Sequence, residues 1–158
     1  MPDSDTVTLN KKVPDFSAVS TGGELRLAQL RGHIVVLYFY PKDNTPGCTT
    51  EAQDFAAAHG RFEKAGAKVI GVSRDSLASH EKFCTKFELP FPLLSDPDEA
   101  LCTLFGVMKQ KNMYGKMVRG IVRSTFVIDA AGVLRREWRG VKVPGHATEV
   151  LEFSKTLG

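Results

Sequence analysis

The sequence lacks the features that mark several classes of protein. Its longest apolar run, residues 34–40, is far shorter than the ~20 residues of a membrane-spanning helix. Its 21 basic and 18 acidic residues give a net charge of +3, which is too small to indicate a nucleic-acid surface. The first residues include two acids and no apolar block, so no secretory signal is expected. We therefore expect a cytoplasmic protein that binds neither membrane nor nucleic acid.

Cysteine is scarce as well, with three in 158 residues, and a reducing cytoplasm disfavours a disulfide framework. The Cys-x-x-Cys pair that a thiol–disulfide oxidoreductase needs is absent, as are a glycine-rich phosphate loop and a Ser-His-Asp order. His80 and Cys84 have an i, i+4 spacing that can bind metal, but no second pair completes a ligand set, so no metal site is predicted. A functional cysteine in this chain is expected to be a reactive thiol or one of a redox pair.

The chain does contain an alternation of strand and helix patterns. The apolar residues 33–40 predict a central strand that is covered on both faces. The other predicted elements are an N-terminal hairpin (16–19 and 24–27), strands at 68–73, 92–95, 121–128 and 133–138, and helices at 49–64, 76–88, 99–105 and 146–157. This order predicts an α/β protein of the thioredoxin-like type, with a mixed sheet, helices on both faces and a single domain spanning residues 1–158.

The loop after the central strand holds the residues that suggest chemistry. Ligand sites in open α/β sheets gather at the carboxyl ends of strands, where this loop lies. Cys48 is expected at or just before a helix start, where free amides and the helix dipole favour an anion. The Thr45 hydroxyl can lie beside the sulfur, Pro41 can shield one side, and Gly47 lets the backbone approach a small ligand. Taken alone, the same residues fit a plain connector with a capping cysteine equally well.

The spacing Pro-x-x-x-Thr-x-x-Cys, present as Pro41, Thr45 and Cys48, resembles the signature of the peroxiredoxins. The longer string YPKDNTPGCTTE (residues 40–51) resembles the branch called peroxiredoxin Q or bacterioferritin comigratory protein, and the likeness extends to residues 120–129. The resemblance implies a peroxidatic Cys48 assisted by Pro41, Thr45 and a strand-borne arginine, here Arg123. Thr45, Gly47 and Arg123 are then expected to contact the peroxide, since a guanidinium can orient its oxygens. By itself, Arg123 fits a surface ion pair better.

The second cysteine is where the chain departs from the commonest pattern of this branch. Many members carry a cysteine five residues after the first, and this chain has Gln53 there. Another subset carries its resolving cysteine in the second helix, which implies Cys84, while Cys102 lies among apolar residues and is expected to be packing. An inert, buried Cys84 is the alternative. A disulfide needs Cα atoms within ~7 Å, so we expect local unwinding around Cys48 and Cys84.

Together, the resemblance implies a thiol-dependent peroxidase that acts on hydrogen peroxide and organic hydroperoxides without metal, flavin or haem. Cys48 would form a sulfenic acid, Cys84 would convert it to an intramolecular disulfide, and thioredoxin or glutaredoxin would restore both thiols. A monomer is expected. Two alternatives stay open: a one-cysteine peroxidase resolved by an external thiol, and a non-catalytic holdase on the same fold. The sequence leaves the preferred peroxide and the reductant open.

Overall fold

Strands and helices alternate through most of the computed structural model, which describes residues 6–158 apart from the side chains at positions 111 and 113. The strands within those residues are β1 (Ser17–Ser20), β2 (Gly23–Arg26), β3 (Ile34–Phe39), β4 (Ala67–Ser73), β5 (Leu93–Ser95), β6 (Met108–Met113), β7 (Lys116–Ile121), β8 (Ser124–Ile128) and β9 (Leu134–Arg139). The α-helices are α1 (Pro46–Ala57), α2 (His59–Lys64), α3 (Leu77–Phe87), α4 (Ala100–Leu104) and α5 (His146–Lys155), and a 3-10 turn covers Leu27–Leu30.

Seven of these strands form one mixed sheet in the order β2-β1-β5-β4-β3-β8-β9. The central strand β3 is parallel to β4 and antiparallel to β8, so that Phe39 lies opposite Val72 on one side and Ser124 on the other. Every residue of β3 is buried, which explains its uninterrupted apolar sequence. The predicted mixed sheet and the N-terminal hairpin, here β1 and β2, are confirmed.

Apolar cores lie on both sides of the sheet because successive residues of β3 point to opposite faces. Tyr38 belongs to the core that α1, α2, α3 and α5 cover, and this core also includes Cys48, with Cys84 packed against its edge. Phe39 belongs to the opposite core, which α4 covers and which includes Cys102. The prediction of helices on both faces is therefore confirmed. The sheet separates Cys102 from the other two cysteines.

Two predicted elements are each divided in the structure. The helix predicted at 49–64 is divided into α1 and α2 at Ala58, where the backbone turns to φ −92° and ψ 0°. The strand predicted at 121–128 is two strands, since β7 ends at Ile121 and β8 begins at Ser124. Val122 and Arg123 form the connection between them, so Arg123 is not on a strand.

The hairpin of β6 and β7 was not predicted at all, apart from its last residue. Within residues 6–158 its strands pair only with each other, and most of their described side chains are exposed. An exposed ribbon needs no apolar alternation, which is the signal that sequence reasoning depends on. Its turn is formed by Tyr114 and Gly115, both with positive φ (54° and 82°), and the Gly115 amide donates to the Asn112 side chain at 3.1 Å.

None of the helices in residues 6–158 combines the length and the apolar character that a membrane span requires.

Candidate active site

The first turn of α1 holds the Cys48 thiol. Thr45 is the N-cap residue in extended conformation, and Pro46 occupies the first helical position. Proline suits that position because its φ is already helical and it lacks an amide hydrogen that would have no partner. Cys48 is the third residue of the helix and only 2% exposed. The thiol thus lies within the first turn, slightly later than predicted, and the amides of this turn still favour negative charge on the sulfur.

Arg123 brings its guanidinium to this thiol from the connection that precedes β8. The Nη2 atom lies 3.4 Å from the Cys48 Sγ. Ser124 pairs with Phe39, the last residue of β3. This pairing places the preceding residue, Arg123, beside the carboxyl end of β3, where the Cys48 loop begins. A partly buried guanidinium at this distance stabilises negative charge on the sulfur. The structure therefore brings Cys48 and Arg123 together, as the resemblance implied, although Arg123 lies beside a strand.

Glu51 belongs to the same cluster, and the sequence analysis did not single it out. Its Oε1 accepts a hydrogen bond from the Arg123 Nη1 at 2.7 Å, and the residue is 1% exposed. Burial raises the pKa of Glu51 to about 7, with the neighbouring guanidinium acting in the opposite direction. Burial lowers the pKa of Arg123, but the charges of Glu51 and Cys48 outweigh it and raise that pKa overall. The sequence does contain a signal for Glu51, because an acid three residues after Cys48 lies on the same helix face as the thiol.

Gly47 makes room for the arginine. A Cβ atom at this position would lie 3.2 Å from the Arg123 Nη2 and 3.9 Å from its Cζ. Such a contact is tighter than carbon and nitrogen ordinarily tolerate, so a larger residue would push the guanidinium away. Gly47 was predicted because it lets a ligand approach the backbone. The structure shows that it also lets the Arg123 guanidinium approach.

Thr45 and Pro41 shape the loop before the helix, and both are half-buried. The Thr45 hydroxyl donates to the Lys42 carbonyl at 2.8 Å, which closes a tight turn. Its oxygen keeps a lone pair that can accept a further hydrogen bond. Pro41 lies two residues after the end of β3 and begins the loop. A contact of Thr45 with the thiol or peroxide, and shielding by Pro41, stay predictions.

Cys84 lies in the last turn of α3 and is half-buried. Its thiol donates to the Thr21 Oγ1 at 3.9 Å, and burial raises the pKa of Cys84. The helix ends at Glu88 in the left-handed region (φ 50°), which is unfavourable for a residue with a Cβ and makes this end of the helix easier to unwind. All three thiols of the chain are free.

Cys102 is fully buried in α4, on the opposite face of the sheet. Burial raises its pKa far above the ordinary value, which keeps the thiol neutral. Its surroundings agree with the packing role that was expected.

Comparisons with known proteins agree with this geometry. A sequence model of the AhpC/TSA family matches residues 9–137. The chain belongs to this family. It is 57% identical over 138 residues to Peroxiredoxin Bcp of Xanthomonas campestris pv. campestris, which covers 87% of this chain and 86% of that protein. It is 47% identical over 153 residues to Peroxiredoxin Bcp of Bacillus subtilis, covering 96% of this chain and 98% of that one.

Solved structures of peroxiredoxin Q are similar to this peroxiredoxin over most of its length. One from Xanthomonas campestris superposes with a TM-score of 0.85 at 54% identity, covering 89% of this chain and 90% of that one. A mutant form from Xylella fastidiosa superposes with a TM-score of 0.89 at 42% identity, covering 95% and 96%. The predicted branch and the thioredoxin-like fold are confirmed. This peroxiredoxin is a thiol-dependent peroxidase, as predicted, and not a non-catalytic holdase.

Proposed function

We propose that this peroxiredoxin reduces hydrogen peroxide and organic hydroperoxides through the Cys48 thiolate. The observation that carries the proposal is the 3.4 Å approach of the Arg123 Nη2 to the Cys48 Sγ, with the other arm of the guanidinium held by Glu51 at 2.7 Å. A group held at both arms keeps its orientation without reorganisation during the reaction. The alkyl peroxide reduction activity described for the bacterioferritin comigratory protein of Xanthomonas campestris, 53% identical to this chain, supports organic substrates.

In the first step the thiolate attacks the outer oxygen of the hydroperoxide. The S–O bond forms as the O–O bond breaks, so the sulfur is oxidised to a sulfenic acid, and the departing alkoxide or hydroxide takes a proton to leave as alcohol or water. The Arg123 donors stabilise the charge that develops on the peroxide oxygens. Thr45 and Gly47 complete the peroxide site in this proposal, and Pro41 covers one side of it.

In the second step Cys84 resolves the sulfenic acid. Its thiolate attacks the Cys48 sulfur, the S–S bond forms, and hydroxide departs and is protonated to water. Two observations support Cys84 over Cys102: Cys84 packs on the same side of the sheet as Cys48, and it lies next to a strained helix end. Cys102 is on the far side of the sheet and has no path to Cys48 without disrupting the core.

In the third step a dithiol protein, thioredoxin or glutaredoxin, reduces the disulfide. Cys84 lines an open depression of about 600 Å³, together with Thr21, Glu81 and the apolar residues Leu89 and Phe91, which gives a protein thiol access to the sulfur. We propose that one domain, residues 1–158, performs this cycle as a cytoplasmic monomer, with no metal or organic cofactor.

Three single serine variants, at Cys48, Cys84 and Cys102, test the assignment. Stopped-flow measurement should show that Cys48→Ser no longer consumes peroxide, while Cys102→Ser, the matched control, behaves as the unmodified protein. Cys84→Ser should consume one equivalent, gain one oxygen at Cys48 by mass spectrometry, and lose turnover with thioredoxin and with glutaredoxin. Sustained turnover of Cys84→Ser would establish the one-cysteine alternative, and peroxide consumption by Cys48→Ser would refute the proposed nucleophile.

A further inference from the structure

A buried pair of side chains joins the two segments that carry the reactive cysteines. Asp43 lies in the loop before Cys48 and is 6% exposed, while His80 lies in α3, one turn before Cys84, and is 0% exposed. The Asp43 Oδ2 and the His80 Nδ1 are 2.7 Å apart. The peroxidatic loop is thus connected to the helix of the proposed resolving cysteine through the interior of the protein.

Both ring nitrogens of His80 face groups that accept hydrogen bonds. The Nε2 lies 2.8 Å from the carbonyl oxygen of Leu94 in β5, which can only accept. Burial raises the pKa of Asp43, but hydrogen bonds from His80 and Tyr40 outweigh it and lower that pKa overall, so Asp43 is a carboxylate. Both ring nitrogens thus face acceptors in the interior, and the Asp43–His80 contact joins a carboxylate to the ring at 2.7 Å. Since both ring nitrogens face these oxygens, neither is directed towards Cys84 as a metal ligand would be.

The Asp43 carboxylate is further held by neutral donors. The Tyr40 hydroxyl donates to its Oδ1 at 2.6 Å, and the Ser79 hydroxyl donates to its Oδ2 at 2.8 Å. The Asp43 amide also donates to the Asp75 carboxylate at 2.9 Å. Loss of either side chain would leave its buried partner without a hydrogen bond, which destabilises this arrangement of the loop and α3.

Disulfide formation must break other contacts at both cysteines. The Cys48 Sγ is held 3.4 Å from Arg123, and the Cys84 Sγ donates to Thr21, which belongs to the β1–β2 turn. Both thiols are free, so joining them requires each sulfur to leave these contacts and the segments around the two cysteines to rearrange. A buried interaction that spans these two segments favours the arrangement before this rearrangement.

We propose that Asp43 and His80 are positioning residues that hold Cys48 in its peroxide-reactive arrangement and delay its union with Cys84. This inference rests on the proposed role of Cys84. The pair stabilises the folded loop, in which Cys48 faces Arg123, and it is lost when the segments around Cys48 and Cys84 unwind. It therefore favours the reaction with peroxide and slows the formation of the disulfide, which lengthens the lifetime of the sulfenic acid.

The test measures the two steps separately in Asp43→Asn, a variant of equal size that removes the negative charge. The peroxide step is measured by stopped flow in a Cys84→Ser background. The disulfide step is measured with all cysteines present, by quenched flow, alkylation of free thiols and mass spectrometry. We expect the first rate to fall about threefold or more and the second to rise by a similar factor. General damage to the active site slows both steps, so opposite signs identify the positioning role.

Two further variants complete the design. Lys86→Met removes an exposed 3.3 Å contact between α3 and Asn44 of the same loop, and both rates should stay within about twofold of the unmodified protein. Ser79→Ala removes one donor to Asp43 and should give the same opposite signs at smaller size, even if Asp43→Asn fails to fold. Rates that fall together, or that do not change, in these Asp43-directed variants overturn the inference. Absence of a Cys48–Cys84 disulfide in the unmodified protein refutes the role of Cys84 itself, and this is seen before any positioning variant is made.

Discussion

Cys48 and Cys84 lie on the same side of the sheet but at opposite ends of their helices. Cys48 is in the first turn of α1, where amide hydrogens and the guanidinium of Arg123 favour an anion. Cys84 is in the last turn of α3, where carbonyl oxygens dominate, and burial raises its pKa, with the charges of Asp43 and Glu81 acting in the same direction. The surroundings of Cys48 favour negative charge on its sulfur, whereas those of Cys84 favour the neutral thiol.

This difference orders the proposed cycle. The neutral, half-buried Cys84 is a poor nucleophile in its helix, since the thiolate is the attacking species. Unwinding the end of α3 exposes it to water and removes the burial that raises its pKa. In the proposed cycle, resolution is thereby coupled to a structural change. The four predictions below change one side of this contrast at a time.

The largest effect is expected at Arg123, whose loss removes the cation from Cys48 and leaves Glu51 buried without its partner. Arg123→Met should lower the second-order rate with peroxide roughly 100- to 1,000-fold, the size found when a donor to a developing anion is removed. Arg123→Lys keeps the charge but cannot engage Glu51 and Cys48 together, so it should recover only a small part of the rate. Stopped-flow kinetics measures both variants. A full rate in Arg123→Lys would show that charge alone suffices.

The next effect concerns Glu51, whose pKa is raised by burial to about 7 from 4.5. A carboxyl whose pKa is higher in the folded than in the unfolded state contributes stability that is complete below the unfolded pKa and is lost as pH rises through the folded one. The free energy of unfolding of the reduced protein should therefore fall by about 2 kcal/mol between pH 5 and pH 8, measured as the difference from Glu51→Gln, which cannot titrate at this position. Urea titrations across this range measure it. A difference that does not vary with pH would place the Glu51 pKa near its ordinary value.

Gly47 tests the Cys48 side by geometry alone. Gly47→Ala places a Cβ 3.2 Å from the Arg123 Nη2, so the guanidinium must shift, and the peroxide rate should fall about tenfold, in the range seen for small misplacements of catalytic groups. Alkylation of Cys84 should not change. Gly60→Ala in α2 is the matched control, because a Cβ there meets nothing within 4 Å. An equal loss of rate in both variants would assign the effect to backbone conformation instead of the guanidinium.

The sequence predicted well what depends on local pattern. The apolar run of β3, the N-terminal hairpin and the spacing of Pro41, Thr45 and Cys48 are each contained in a few neighbouring residues. The β6–β7 hairpin escaped prediction because an exposed ribbon carries no apolar alternation. Because this hairpin was not predicted, the end of β7 at Ile121 was not recognised either. Residues 121–128 were therefore predicted as one strand, and Arg123 was wrongly placed on it.

The contacts that the sequence did not predict are long-range pairs set by the register of the sheet. Glu51 and Arg123 are 72 residues apart, and Asp43 and His80 are 37 apart, so nothing near either member marks the partner. The first contact follows from the pairing of β3 with β8, and the second from the packing of Phe83 in α3 against Tyr40 just after β3. From the sequence alone, Glu51 and Asp43 therefore look like ordinary surface acids, and only the fold shows the partner that each one has in the interior.

The smallest effect is expected on the Cys84 side, at Thr21. The Thr21 hydroxyl lowers the pKa of Cys84 against the larger effect of burial, and the Leu93 amide donates to its oxygen at 3.2 Å, which fixes its position. Thr21→Val, made in a Cys48→Ser background, should therefore slow alkylation of Cys84 about two- to threefold at pH 8, since one hydrogen bond contributes roughly 1 kcal/mol or less. Thr21→Ser keeps the hydroxyl and should alkylate at the original rate. If Thr21→Val reacted faster, the contact would be protecting the thiol by closing access to it, and the Thr21 hydroxyl would not be what keeps the pKa of Cys84 from rising further.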